Sequence, residues 1–374
     1  MENIFPIGRP AGPEDVVDRD DFMQEAVERL MMGHDIMLAG PRRIGKSSVA
    51  GEILRRVRER GAYTAAVDVF RTATTETLAT RLIEAVIANR TGLLAKAARD
   101  MKELRSHLGQ ARVSARLHDL ELGVALVEQR PSPEDLLELG LVTAEKIAEK
   151  DGRRMVILID EFQDIQKLGG GELLKRMRSI IQQQQHAVYL FMGSQAHLMN
   201  DLFAKPNEAF FRFAIQMHLP AVPWPEWEQY IEDRLRTQGM TIRDTALQIL
   251  HEKSGGHPHS VMVVTEAAFL HAKLAGKTAI QADDALYGYI AAMDGTLGAI
   301  YTQQWAAVRE YKHAAKALLA IAQGREPYAG VPSRSGVTDA IKLLEARGLI
   351  MSEGRGKHRL VEPMFGAWLR SEAS

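Results

Sequence analysis

The sequence contains no cysteine. Disulfides, thiolate metal sites and cysteine nucleophiles are therefore excluded, which fits a reducing compartment. A charge excess of either sign is also missing: 47 Lys and Arg oppose 48 Asp and Glu, for a formal net charge of −1. That balance gives no global electrostatic case for nucleic acid or a membrane surface, so any nucleic-acid site must be local. No apolar run approaches the roughly 20 residues needed to span a bilayer. Residues 1–13 carry Pro6, Gly8, Pro10, Gly12 and Pro13 but lack the basic start and apolar stretch of a signal peptide. The expectation is a cytoplasmic protein with no membrane partner. Internal repeats and low-complexity tracts are absent as well.

What is present is ordinary for a globular chain: 46% hydrophobic and 25% charged residues. A length of 374 residues exceeds a single ordinary core and points to about two or three domains. Apolar spacing predicts helices over residues 20–32, 47–60, 75–107 and 133–150. Short runs at 34–39 and 63–70 read as strands, the first of them buried, and those at 155–159 and 187–192 read as central strands buried on both faces of a parallel sheet. Strands separated by helices give an α/β core. Residues 112–127 alternate like a small hairpin and have no functional account. Residues 220–225 read as a linker, followed by an almost wholly helical stretch to about residue 293.

The segment Gly40-Pro41-Arg42-Arg43-Ile44-Gly45-Lys46-Ser47 matches G-x-x-x-x-G-K-[ST] in full. Its glycines let the backbone curl so that N–H groups point at phosphate oxygens, and the following helix adds its positive end. Lys46 is the group for the β- and γ-phosphates, and the Ser47 hydroxyl is a ligand for Mg²⁺. The motif follows an apolar strand and opens a helix, as that chemistry requires. A second apolar strand ends in Asp160 and Glu161. Asp160 is the expected holder of Mg²⁺ through its water shell. Glu161 is the expected base that orients and polarises water. Ser194 and Gln195 close the next strand, where a polar group can touch a γ-phosphate or simply cap the following helix.

These residues resemble the archaeal-type ATPases of the STAND class, relatives of AAA+ and origin-recognition ATPases. The likeness rests on the phosphate loop extended through Ser48, on Ile159-Asp160-Glu161-Phe162-Gln163 and on Gly193-Ser194-Gln195. It is joined by Val17-Asp18-Arg19, by Gly255-Gly256-His257-Pro258, and by Glu362-Pro363-Met364-Phe365 with Trp368-Leu369-Arg370. The resemblance implies ATP and Mg²⁺ as cofactors. It implies that Val17 and Arg19 approach the base, that Pro258 lies against adenine, and that His257 reaches a phosphate. It also raises Arg212, within Phe210-Phe211-Arg212-Phe213, as an arginine finger acting on a neighbouring subunit; a surface ion pair is the alternative. Arg42 and Arg43 are candidates for phosphate or partner contacts, or for a solvated loop tip.

Toward the end, helices at 313–322 and 337–346 precede apolar strands at 348–351 and 359–361, with glycines between the strands. Helix, helix, hairpin is the winged-helix pattern, and the resemblance places one here. Arg334, Lys342, Arg347, Arg355, Lys357 and Arg359 offer cations to duplex DNA, while Asp339 and Glu345 share the helix. Protein docking and DNA binding both remain open. The expected organisation is a P-loop ATPase core with a parallel sheet (1–219), a helical lid (220–295) and a C-terminal winged-helix domain (296–374). The expected function is an ATP-hydrolysing regulatory switch whose lid closes on nucleotide and moves the winged helix. Its partners are ATP and ADP, with a protein partner or a second copy. The alternative is a DNA-binding AAA+-like ATPase that oligomerises on duplex.

Overall fold

The computed structural model describes residues 4–88, 131–328, 334–354 and 356–372. The predicted helix at 75–107 is described only over Thr75–Ala88. The hairpin expected at 112–127 and Arg355 lie outside the described residues.

Five parallel strands form the central sheet: β1 (Ile36–Ala39), β2 (Tyr63–Asp68), β3 (Met155–Asp160), β4 (Ala187–Gly193) and β5 (Ile215–His218). Their spatial order is β2-β3-β4-β1-β5. β4 is thus inserted between β1, which feeds the phosphate loop, and β3, which ends in the acid pair. β1, β3 and β4 are almost completely buried, so their sequences show apolar runs rather than alternation.

The pleat still sorts side chains by face. Met37, Ile157, Ile159, Tyr189 and Phe191 pack on one side, against α3 (Thr75–Ala88), α4 (Pro133–Asp151) and α5 (Ile165–Ile181). Ile36, Leu38, Val156, Leu158, Val188 and Leu190 pack on the other, against α1 (Asp20–Met31) and α2 (Lys46–Glu59). The two helical layers clamp the sheet and leave its C-terminal edge open, where ligands of open α/β sheets bind. α6 (Ala196–Ala204) follows β4 at that edge.

The segment expected to be a linker is partly ordered into a helix. α7 begins at Trp224 and runs to Arg236, with Pro225 in its first turn, where its missing N–H costs nothing. Trp224 stacks on His251 at 4.3 Å. α8 (Asp244–Ser254), α9 (Pro258–Leu274) and α10 (Ala282–Asp294) follow, with two-residue strands β6 (Thr241–Ile242) and β7 (Ala279–Ile280) pairing between them. α11 (Thr296–Arg309), α12 (Lys312–Ala322) and α13 (Arg334–Ala346) then lead to an antiparallel hairpin, β8 (Ile350–Gly354) and β9 (Lys357–Leu360). α14 (Pro363–Glu372) is the last helix described.

One continuous apolar cluster runs from Trp227 and Ile231 through Phe269 and Tyr301 to Phe365 and Leu369. The boundary expected at residue 295 falls inside it. Ile4 and Phe5 also join this cluster rather than the sheet, with Phe5 packing edge-on against Tyr230 and Phe269 at 6.2 Å. From Phe5 in the helical region the chain crosses to the sheet, where the Ala11 N–H donates to Ser48 Oγ at 2.8 Å.

Candidate active site

Gly45 (φ 95°) ends the phosphate loop and caps α2 in a left-handed conformation that suits glycine. Gly40 has no room for a side chain, since a Cβ there would meet Ile44 Cδ1 at 2.6 Å. The curl turns Lys46 back under the loop. Its Nζ donates to the carbonyls of Gly40 at 2.7 Å and Pro41 at 2.5 Å. Burial pushes the Lys46 ammonium down to about 8, against the opposing pull of Glu161 and Asp160. The adjacent Ser47 is exposed.

Across the edge of the sheet, burial pushes the Asp160 carboxyl up to about 6, and the charges of Glu161 and Asp68 add to the rise. Its Oδ1 accepts the Glu161 N–H at 2.8 Å. Glu161 stands at φ 51°, ψ 42° immediately after β3. Its Oε2 accepts from Ser194 Oγ at 2.8 Å, so the Ser194 hydroxyl is bound to the acid pair in this state.

These groups surround a cavity of about 710 Å³. Arg42, Arg43, Ile44, Gly45, Lys46, Ser47, Ser48, Asp160, Glu161, Ser194, Val17, Arg19 and Pro258 all line it. Gly40 and Pro41 form the loop beneath. His257 does not line the cavity: it is 6% exposed, and burial pushes its imidazole down to about 3, so it is neutral. The histidine that faces the cavity is His259. Arg19 is buried and donates to the Pro220 carbonyl, tying the cavity wall to the start of the helical region. Arg212 lies elsewhere, exposed, at φ 52°, with its guanidinium 5.0 Å from the Phe211 ring. It makes no ion pair among the described residues.

Several lining residues escape sequence reasoning: Arg9, Asp68, Lys167, Trp227 and Met262. They come from five separate segments, and none belongs to a motif.

The phosphate loop also touches the far end of the chain. Arg43, at φ 64°, points its Nη1 at Glu362 Oε1, 3.5 Å away. Glu362 is 6% exposed and also accepts from the Tyr301 hydroxyl at 3.3 Å. Burial raises the Glu362 carboxyl above its ordinary value, while Arg43 opposes that rise.

A family model described as an ATPase domain predominantly from Archaea matches residues 17–209, which is over half of the chain. The chain belongs to that family. The match covers strands β1 to β4 of the sheet, the phosphate loop, the Asp160–Glu161 pair and Ser194. No curated protein sequence matches the chain. Among solved structures, a Walker-type ATPase of Pyrococcus abyssi superposes with a TM-score of 0.72 at 17% identity, covering 98% of this chain and 99% of that one. The ORC2 protein of Aeropyrum pernix, solved as ADPNP–ADP complexes, gives 0.59 at 14% identity, covering 100% and 99%. The ORC1 protein of Aeropyrum pernix, solved in complex with DNA, gives 0.52 at 16%, covering 96% and 94%. At such identities these likenesses establish the fold of the ATPase domain and the helices beyond it. No helix among the described residues is long and apolar enough to cross a membrane.

The donor set fits a nucleotide-bound Mg²⁺. Ser47 and Asp160 are hard oxygen donors lining one cavity, and the crowding of Asp160 by Glu161 and Asp68 is of the kind a divalent cation relieves.

Proposed function

We propose that the protein is an ATP-hydrolysing switch of the STAND or AAA+-like type. It is read as an ATPase core (1–219), a helical lid (220–295) and a winged helix (296–374). Lys46 and the loop N–H groups bind the β- and γ-phosphates, and Val17 and Pro258 flank the base. Ser47 and Asp160 would hold Mg²⁺, which supplies charge neutralisation on the phosphate oxygens. Glu161 takes the proton of a water whose oxygen attacks the γ-phosphorus. The bond from that phosphorus to the bridging oxygen breaks, and ADP leaves with the electron pair.

The observation that carries the switch is the contact between Arg43 and Glu362. The phosphate loop meets the residue that precedes α14, so a ligand that moves the loop bears on both. The size of the shift is set by the ligand's differential affinity for the two arrangements.

The winged helix is better supported as a docking module than as a DNA reader. α13 rests against α6 of the core. The Arg347 guanidinium donates to the Ala307 carbonyl and lies over the Tyr311 ring, and Arg359 pairs with Glu353 at 2.8 Å. Those two guanidiniums are engaged in surface contacts within the chain, leaving Lys342 and Lys357 without ion pairs among the described residues.

The test combines turnover with shape. Lys46→Ala should abolish hydrolysis. Glu161→Gln should bind ATP, hydrolyse it poorly and stay closed. Identical solution scattering from apo and ATP-bound Glu161→Gln sinks the switch. Hydrolysis stimulated by duplex DNA, and lost in Lys46→Ala, would restore the DNA-binding reading.

A further inference from the structure

The Glu161 carboxylate is held asymmetrically. Its Oε2 accepts from Gln163 Nε2 at 2.5 Å, Ser194 Oγ at 2.8 Å and the Ser194 N–H at 3.2 Å. No donor reaches Oε1 among the described residues. One oxygen is clamped and the other is left for a molecule in the cavity that Glu161 lines.

Gln163 is placed for this with little freedom. It sits in a single 3₁₀ turn, Phe162–Asp164, directly after Glu161, and is 1% exposed. Phe162 beside it is wedged against Phe191, Phe203 and Phe210 at centroid distances of 4.6, 5.7 and 5.0 Å. The amide must turn its nitrogen to the carboxylate, because its own carbonyl would be repelled. That leaves Gln163 Oε1 buried without a hydrogen-bond partner. An unsatisfied buried carbonyl costs stability and calls for an explanation, and a role in positioning supplies one. Gly193 accommodates the arrangement: a Cβ there would lie 2.2 Å from Gln163 Oε1.

We propose that Gln163 is a positioning residue for hydrolysis, fixing Glu161 by Oε2 so that Oε1 meets the attacking water. The inference rests on the reading of Glu161 as the base. Of the two side chains on Oε2, that of Ser194 also lines the cavity, where a γ-phosphate would compete for its hydroxyl. Gln163 is sealed behind the turn, away from such competition.

The test measures steady-state ATP hydrolysis and the affinity for a fluorescent ATP analogue. Gln163→Met keeps the shape without the donor, and Gln163→Asn withdraws the donor by one methylene. Both should lower kcat about 10- to 100-fold, the scale of a displacement near 1 Å, while nucleotide affinity and melting temperature stay at wild-type values. In a Glu161→Gln background, Gln163→Met should cause no further loss. Wild-type kcat in either variant overturns the proposal, as does a loss of kcat that follows equal losses of affinity and melting temperature. Should Gln163→Met not fold, Gln163→Asn decides alone. Unimpaired hydrolysis by Glu161→Gln overturns the base reading itself. An inactive Glu161→Gln beside a fully active Gln163→Met overturns only the role of Gln163.

Discussion

Arg43 at the crest of the phosphate loop faces Glu362 at the start of the last helix, with Nη1 3.5 Å from Oε1. The two are 319 positions apart in sequence and meet beside Tyr301, His257 and His259. Glu362 is buried, so its charge depends on Arg43 and on the Tyr301 hydroxyl for compensation. Arg43→Ala and Glu362→Ala should each destabilise the docked C-terminal helix. A double-mutant cycle by urea unfolding should return a coupling on the order of 1 kcal/mol. ATP should reduce that coupling if the loop releases Glu362 on binding. A coupling of zero with and without ATP removes the contact from the switch.

A second link between the same regions runs through Gly255. It ends α8 at φ 61°, and a Cβ would lie 2.6 Å from Pro363 Cγ. Gly255→Ala must therefore strain the backbone and push the last helix away. The expected loss is roughly 1–3 kcal/mol. Limited proteolysis should then release a C-terminal fragment from the folded variant sooner than from wild type. Unchanged stability together with unchanged proteolysis would show that the helix end and Pro363 are not packed this tightly.

Four strands of the sheet and its edge were legible because the chemistry there is local, whereas β5 (Ile215–His218), only partly buried and short, carried no such signal. The phosphate loop and the Asp160–Glu161 pair each sit on one short segment, and fully buried strands announce themselves as apolar runs. Relations across the chain left no such trace. Nothing in Phe5 says that it packs edge-on against Phe269, and nothing in Glu362 names Arg43 as its partner. His257 and His259 illustrate the limit. A helix turns about 100° per residue, so a start at Pro258 decides which histidine faces the cavity, and a motif cannot supply that rotation. Gln163 was visible in the sequence as a motif letter, yet its role depends on which oxygen of Glu161 it reaches.

Asp35 gives the protein a pH dependence unconnected with nucleotide. It precedes β1, its Oδ1 accepts the Tyr189 N–H at 2.8 Å, and burial pushes its carboxyl up to about 7. In the unfolded chain the same group titrates near 3.8. Between these values the folded state holds the extra proton, so stability falls as pH rises through that window. Asp35→Asn should match wild type near pH 4 and exceed it at pH 8 by on the order of 2–4 kcal/mol, since an amide oxygen still accepts from Tyr189. Urea midpoints at both pH values decide the matter. A constant offset between the proteins would assign the effect to packing.

Arg212 presents an exposed guanidinium from a fixed turn. Its N–H is fixed to the Phe203 carbonyl at 2.9 Å, while its guanidinium is exposed over Phe211. Phe210, two residues earlier, packs on Phe162 at 5.0 Å, and Phe162 directly follows Glu161. A rigid aromatic cluster therefore joins the Arg212 turn to the Glu161 turn, and a neighbour engaging the first would be felt at the second. If Arg212 acts as a finger in trans, wild-type turnover per molecule should rise with protein concentration, and Arg212→Ala should remove that rise while sparing nucleotide affinity. Arginine fingers account for about 10³- to 10⁵-fold in related phosphoryl transfers, so even partial engagement is measurable. Turnover independent of concentration in wild type, and unaltered in Arg212→Ala, would assign Arg212 to the surface alone.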